Sequence, residues 1–197
     1  MEVLPDYAAC AREYIGWVAE AAATLDDIAV DRLSDAFYAA WCSGATVVLA
    51  GNGGSAATAS HFANDLLKGP LTASGKPLRA MALGDCGPLV MALGNDMGFE
   101  NVFAPQVRAW LGNGGLLVAI SGSGNSANVL RAVETAHECG ADTFALTGCG
   151  GGKLATLARS AIVVASSCMQ VIEDVHAIAL HAAYQGMLHR VEANLTR

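Results

Sequence analysis

Two stretches of this 197-residue chain carry imidazoles and carboxylates at spacings that place them side by side. In GNGGSAATASHFANDL (51–66), His61 and Asp65 stand four residues apart, so on a helix both side chains leave one face. In VIEDVHAIALH (171–181), Glu173, Asp174, His176 and His181 fall within about three turns. Two imidazoles with carboxylates are the donors of a zinc-type ion, and also an acid/base pair able to move a proton near neutral pH. Taken singly, each histidine fits a satisfied core or surface position better than a functional one. Spacing does not choose between the two acidic neighbours. Asp174 and His181 share a stripe more closely than Glu173 and His181, which diverge by about 80° at ~3.6 residues per turn. His137 and His189 have no such partners and stay unassigned.

A second kind of chemistry sits in two matched loops. LAGNGGSAATAS (49–60) and AISGSGNSANVL (119–130) both run from an apolar segment through a glycine-serine turn into a helical pattern. Such a turn leaves backbone N–H groups unpaired at the positive end of a helix, and the missing Cβ atoms let an anion come close. The first loop offers Asn52, Gly53, Gly54 and Ser55; the second offers Ser121, Gly122, Ser123, Gly124, Asn125 and Ser126. Their hydroxyls donate to phosphate oxygens. Turn formation and helix capping alone would explain one such loop, but the repetition favours a shared phosphate site. A dinucleotide reading of GNGGSA lacks an acidic residue closing the next strand at the expected offset of ~20, since the nearest there, Asp85, comes ~30 later. GCGGGK (148–153) lacks the spacing and the following Ser/Thr of a P-loop and reads as a flexible turn.

The elements that must hold these residues follow from the apolar pattern. From about residue 7 to 43 the period is helical, with Tyr14, Val18 and Ala21, then Leu33, Phe37, Ala40 and Trp41. Five short apolar runs follow, at 45–51, 78–84, 115–122, 142–148 and 160–167, separated by helical stretches. Their near-continuous apolar character marks strands buried on both faces of a parallel sheet. The alternation predicts an α/β, doubly wound fold with its working loops at the carboxyl ends of the strands. A long helix closes the chain from about 169 to 192. A single domain is expected over 1–197, with a helical pair at 1–44 and an α/β core at 45–197.

Composition narrows the function classes. The net charge is −7, from 11 Lys+Arg against 18 Asp+Glu, with no basic cluster, which argues against direct nucleic-acid binding. Hydrophobic residues at 53% and charged residues at 15% exclude a disordered chain. The six cysteines form no C-x-x-C pair and read as buried thiols of a reducing cytoplasm. MEVLPDYAAC lacks the positive charge of a signal peptide, and no apolar run suits a membrane span.

In its motifs the chain resembles the SIS (sugar isomerase) domains, and within them the sedoheptulose 7-phosphate, or phosphoheptose, isomerases. The resemblance rests on GNGGSAATASHFANDL (51–66), MALGDCGPLVMALGNDMGFENVFAPQV (81–107), ISGSGNSANVLRAVETA (120–136) and IEDVHAIALH (172–181), in that order. It implies a three-layer, flavodoxin-like fold with a five-stranded parallel sheet and N-terminal helices. It implies that Ser55, Ser121, Ser123 and Ser126 grip a sugar phosphate beside Asn52, Gly53 and Gly122. Asp85, Asn95 and Asp96 match positions lining the sugar. His61, Asp65, Glu173 and His181 match the ligands of one zinc ion per subunit, Glu173 serving at the sugar site as well. Asp65 and His181 match the catalytic acid/base pair. A cytoplasmic homotetramer with active sites across subunit contacts is also implied.

The implied activity is aldose–ketose isomerisation of sedoheptulose 7-phosphate to D-glycero-D-manno-heptose 7-phosphate for heptose synthesis. The alternatives are an isomerase of another phosphosugar, or a non-catalytic phosphosugar-binding SIS protein with a regulatory protein partner. Four departures bear on the sugar. Asp65 stands for a glutamate, Glu173 for a glutamine, Cys168 for an aspartate and Met169 for a threonine. The family's basic residue after the carboxylate is represented at most by Lys68.

Overall fold

The computed structural model describes residues 7–111 and 115–196, so the first six residues of the leader reading lie outside it. Helices α1 (Tyr7–Ala22) and α2 (Asp27–Ser43) come first, as their periodicity predicts. Asp26 caps α2 by accepting from the backbone N–H groups of Ile28 and Ala29, and Gly44 ends it in the left-handed conformation. Five strands follow: β1 (Thr46–Ala50), β2 (Arg79–Ala82), β3 (Leu116–Ser121), β4 (Asp142–Thr147) and β5 (Ser160–Val163). All pair in parallel, in the order β2-β1-β3-β4-β5. Helices α3 (Gly54–Ser74), α4 (Gly87–Met97), α5 (Ala104–Trp110), α6 (Ala127–Glu138) and α7 (Gly152–Leu157) fill the connections, and α8 (Met169–Leu195) closes the chain.

The sheet is the middle of three layers. Val47, Leu49, Val118, Ile120, Phe144 and Leu146 pack on one face against α2, α3 and α8. Val48, Ala50, Leu117, Ala119 and Ala145 pack on the other against α5, α6 and α7. This strict alternation explains why the sequence runs are continuously apolar: both faces are covered. The outer strands β2 and β5 are only partly buried, as edges are. Ala21 of α1 joins Val164, Val171, Ile172 and Val175, and the Tyr14 hydroxyl donates to Asp174 Oδ2 at 2.6 Å, so α1 is pinned to α8.

Strand order changes direction between β1 and β3, which are neighbours although a whole β-α unit separates them in sequence. At such a switch point the loops leaving the two strands diverge to opposite layers and leave a crevice at the carboxyl ends. The loops that leave β1 and β3 are the two glycine-serine loops.

One expectation fails here. Cys10, Cys42, Cys86 and Cys149 are exposed, while Cys139 and Cys168 are half-buried; none is paired. These cysteines occupy helix surfaces and turns, so their packing is not that of core thiols.

Candidate active site

The crevice at the switch point holds a cavity of about 140 Å³ lined by Asn52, Ser55, Ser121, Gly122, Ser123 and Ser126, with Met169 and Glu173 closing it from α8. That is below the ~300–1,000 Å³ of pockets enclosing a drug-sized ligand, so it suits one end of a molecule. The second loop is tied across itself by Ser121 Oγ and Ser126 Oγ at 3.0 Å. The two loops are tied to each other by Asn52 and Asn128, whose side-chain amides exchange hydrogen bonds of 2.9 and 2.8 Å. Asn128 Oδ1 also accepts from the Val129 N–H, so this buried amide is held from two directions.

The GCGGGK segment braces the second loop instead of reaching into the cavity. Leu154 N–H donates to the Gly124 carbonyl at 2.9 Å, and Lys153 N–H donates to Asn125 Oδ1 at 3.2 Å. Gly124 has φ +65°, and a Cβ there would collide with the Gly151 carbonyl. Glycine is required on both counts.

Beyond the cavity, α3 and α8 bring a second group together. His61 Nε2 lies 3.1 Å from Asp65 Oδ2, and His181 Nε2 lies 3.8 Å from the same oxygen. One donor atom from each of the three residues falls within 4.8 Å of the others. Donors around a tetrahedral zinc with ~2.0–2.1 Å bonds stand about 3.3 Å apart, so the set fits such an ion with little movement. Phe62, in the core, orients both imidazoles: it stacks on His61 with ring centroids 4.8 Å apart and meets His181 edge-on at 4.7 Å. Tyr184, one turn beyond His181, packs over Gly69 of α3, where a Cβ would leave its ring no room. Burial raises its phenol, with the Asp65 carboxylate adding to the shift, so it remains an O–H donor beside the cluster.

Glu173 stands outside this triad. A Cβ on Gly54 would fall within 2.6 Å of its carboxylate atoms, so the group rests on the amino end of α3, at the mouth of the serine cavity. Asp174 is turned away and engaged by Tyr14, whose phenol its hydrogen bond pushes up to about 12. The structure thus separates two carboxylates that spacing left equivalent. His176 lies in the core under them, with neither ring nitrogen hydrogen-bonded; burial holds its imidazole down at about 4, against a weak opposing pull from the Thr147 backbone. It is a neutral packing residue.

The remaining candidates lie outside the cavity lining. Asp85, exposed after β2, accepts a short hydrogen bond from Ser60. Asn95 and Asp96 are exposed on α4, where the Asn95 amide donates to Asp96 at 2.8 Å. Sequence reasoning misses Asn128 and Phe62, which lie inside the quoted motifs but carry no signal of their own there, and Tyr184, which lies outside them.

A family model described as the SIS domain matches residues 12–148. The chain is 44% identical over 133 residues to the phosphoheptose isomerase of Aquifex aeolicus, covering 68% of this chain and 69% of that one. Among solved structures it is similar to the phosphoheptose isomerase GmhA from Neisseria gonorrhoeae, with TM-score 0.82 and 36% identity over 92% of this chain and 96% of that one. It is also similar to a phosphoheptose isomerase from Francisella tularensis, with TM-score 0.85 and 29% identity over 93% and 98% of the two chains. The chain belongs to the SIS-domain family, among its phosphoheptose isomerases.

Proposed function

We propose that the protein is an aldose–ketose isomerase that converts sedoheptulose 7-phosphate to D-glycero-D-manno-heptose 7-phosphate in heptose biosynthesis. One observation carries the reading: a serine-lined cavity at the switch point and a His61–Asp65–His181 group lie along the same pair of helices, α3 and α8. The cavity receives the phosphate on Ser55, Ser121, Ser123, Ser126 and loop N–H groups, with no cationic side chain needed. Asn52, Gly53 and Gly122 shape it. Asp85, Asn95 and Asp96 serve the sugar hydroxyls.

Isomerisation then requires two proton movements at adjacent carbons. Asp65 removes the proton from C1 of the ketose while His181 supplies one to the oxygen on C2, giving an enediol. Return of a proton to C2, with loss of the proton on the C1 oxygen, yields the aldose. His61, Asp65 and His181 would hold a zinc ion, which would supply polarisation of the substrate carbonyl. The fourth ligand implied by the resemblance, Glu173, has to leave Gly54 to join them.

Assembly and setting complete the proposal. The chain works as one SIS domain in a homotetramer whose subunit contacts complete the site. In support, α4 buries none of its residues, and Leu89, Met91, Met97 and Phe99 present apolar surface. Unpaired cysteines fit the cytoplasm, and no described helix is long and apolar enough to cross a membrane. The test is turnover by the purified protein on five-, six- and seven-carbon sugar phosphates. Highest kcat/KM on sedoheptulose 7-phosphate is expected; equal or better turnover of a shorter sugar contradicts the assignment and directs attention to Met169 in the cavity wall.

A further inference from the structure

The anion site contains an anion of its own. Glu173 lines the same cavity as the four serines, and its carboxylate rests on Gly54, at the positive end of the α3 dipole. The positive end of the helix attracts a carboxylate and a phosphate for the same reason. Both groups cannot occupy it, since like charges at such range cost several kcal/mol. The next residue shows that the placement is specific: Asp174 carries the same charge one position on but is exposed and held by Tyr14.

We propose that Glu173 is an affinity-determining residue that gates the phosphate cavity, its carboxylate occupying the amino end of α3 until an incoming phosphate displaces it. Glutamate at this position weakens phosphate binding relative to the isosteric amide, and it selects for ligands whose remaining contacts offset the displacement. Inorganic phosphate, which has no other contacts, is then held poorly. This inference rests on the reading of the serine cavity as the phosphate site.

Titration calorimetry of inorganic phosphate against the protein as purified separates the two. Glu173→Gln, which keeps the shape and removes the charge, is expected to tighten phosphate at least about tenfold. Asp174→Asn, an identical charge change outside the cavity, is expected to change it less than about twofold, and Ser123→Ala to weaken it. Unchanged or weaker binding in Glu173→Gln, or an equal gain in Asp174→Asn, overturns the gate while leaving the cavity reading intact if Ser123→Ala still weakens binding. Indifference to Ser123→Ala removes both. Glu173→Asp gives a further check: the shorter side chain retains charge but withdraws from Gly54, and an affinity between wild type and Glu173→Gln is expected.

Discussion

The phosphate cavity and the histidine–aspartate group are built in opposite ways. The cavity is made of loops whose shape is fixed by glycines, by an amide pair and by a bracing turn, with polar atoms drawn largely from backbone and short serines. The second group is made of long side chains from two helices, oriented by a core aromatic ring and by each other. A site of the first kind is lost when backbone moves. A site of the second kind is lost when one functional group is exchanged, with the fold untouched. Damage to one half is therefore expected to leave the other standing.

The largest effect is expected from Gly124→Ala. The new Cβ meets the Gly151 carbonyl at a φ of +65°, so the second loop and its brace cannot both keep their places. A loss of about 2–4 kcal/mol in urea unfolding is expected, with phosphate binding abolished. Wild-type stability would show that the brace is dispensable.

Next comes His176, buried on α8 between the two halves. Its imidazole is held at about 4 in the fold against an ordinary value near 6.5, so the unfolded chain binds one more proton between those values. This contribution to stability is present above pH ~6.5 and is lost as pH falls toward 4, by up to about 3 kcal/mol. His176→Leu is expected to flatten the melting temperature against pH across that window, and an unchanged slope contradicts the account.

Zinc is expected to act on one half alone. At about a hundredfold excess over its Kd it stabilises by about 2.7 kcal/mol and raises the melting temperature of wild type. His61→Ala should lose that rise while binding phosphate as before; a full rise in the variant would move the ion elsewhere. The smallest effect belongs to Ser123→Ala, one hydroxyl among several donors. A KM higher by about tenfold with kcat little changed is expected from a charge-assisted hydrogen bond. A fall in kcat alone would place Ser123 at the reacting end.

The two halves were also unequally legible in the sequence. The glycine-serine loops announce themselves because backbone chemistry leaves a local signature, and strand alternation places them at the switch point. His61 and Asp65 are readable from helical spacing, but their meeting with His181 needs the packing of α3 on α8, which no local pattern encodes. Asn128 is invisible for the same reason: its partner Asn52 lies 76 positions away. Phe62 is core, yet its ring also aims two imidazoles, a role that periodicity does not reveal. The turn at 148–153 reads as flexible because a run of glycines usually is, whereas here those glycines allow two loops to touch. The cysteines mislead because average burial of a residue type says nothing about a particular helix face.

The most direct test compares turnover of sedoheptulose 7-phosphate by wild type, Asp65→Asn and His181→Ala in a coupled assay, with phosphate affinity measured on the same samples. The account predicts a kcat lower by about 10²–10⁴-fold in each variant with phosphate affinity preserved. Full turnover in both would contradict it.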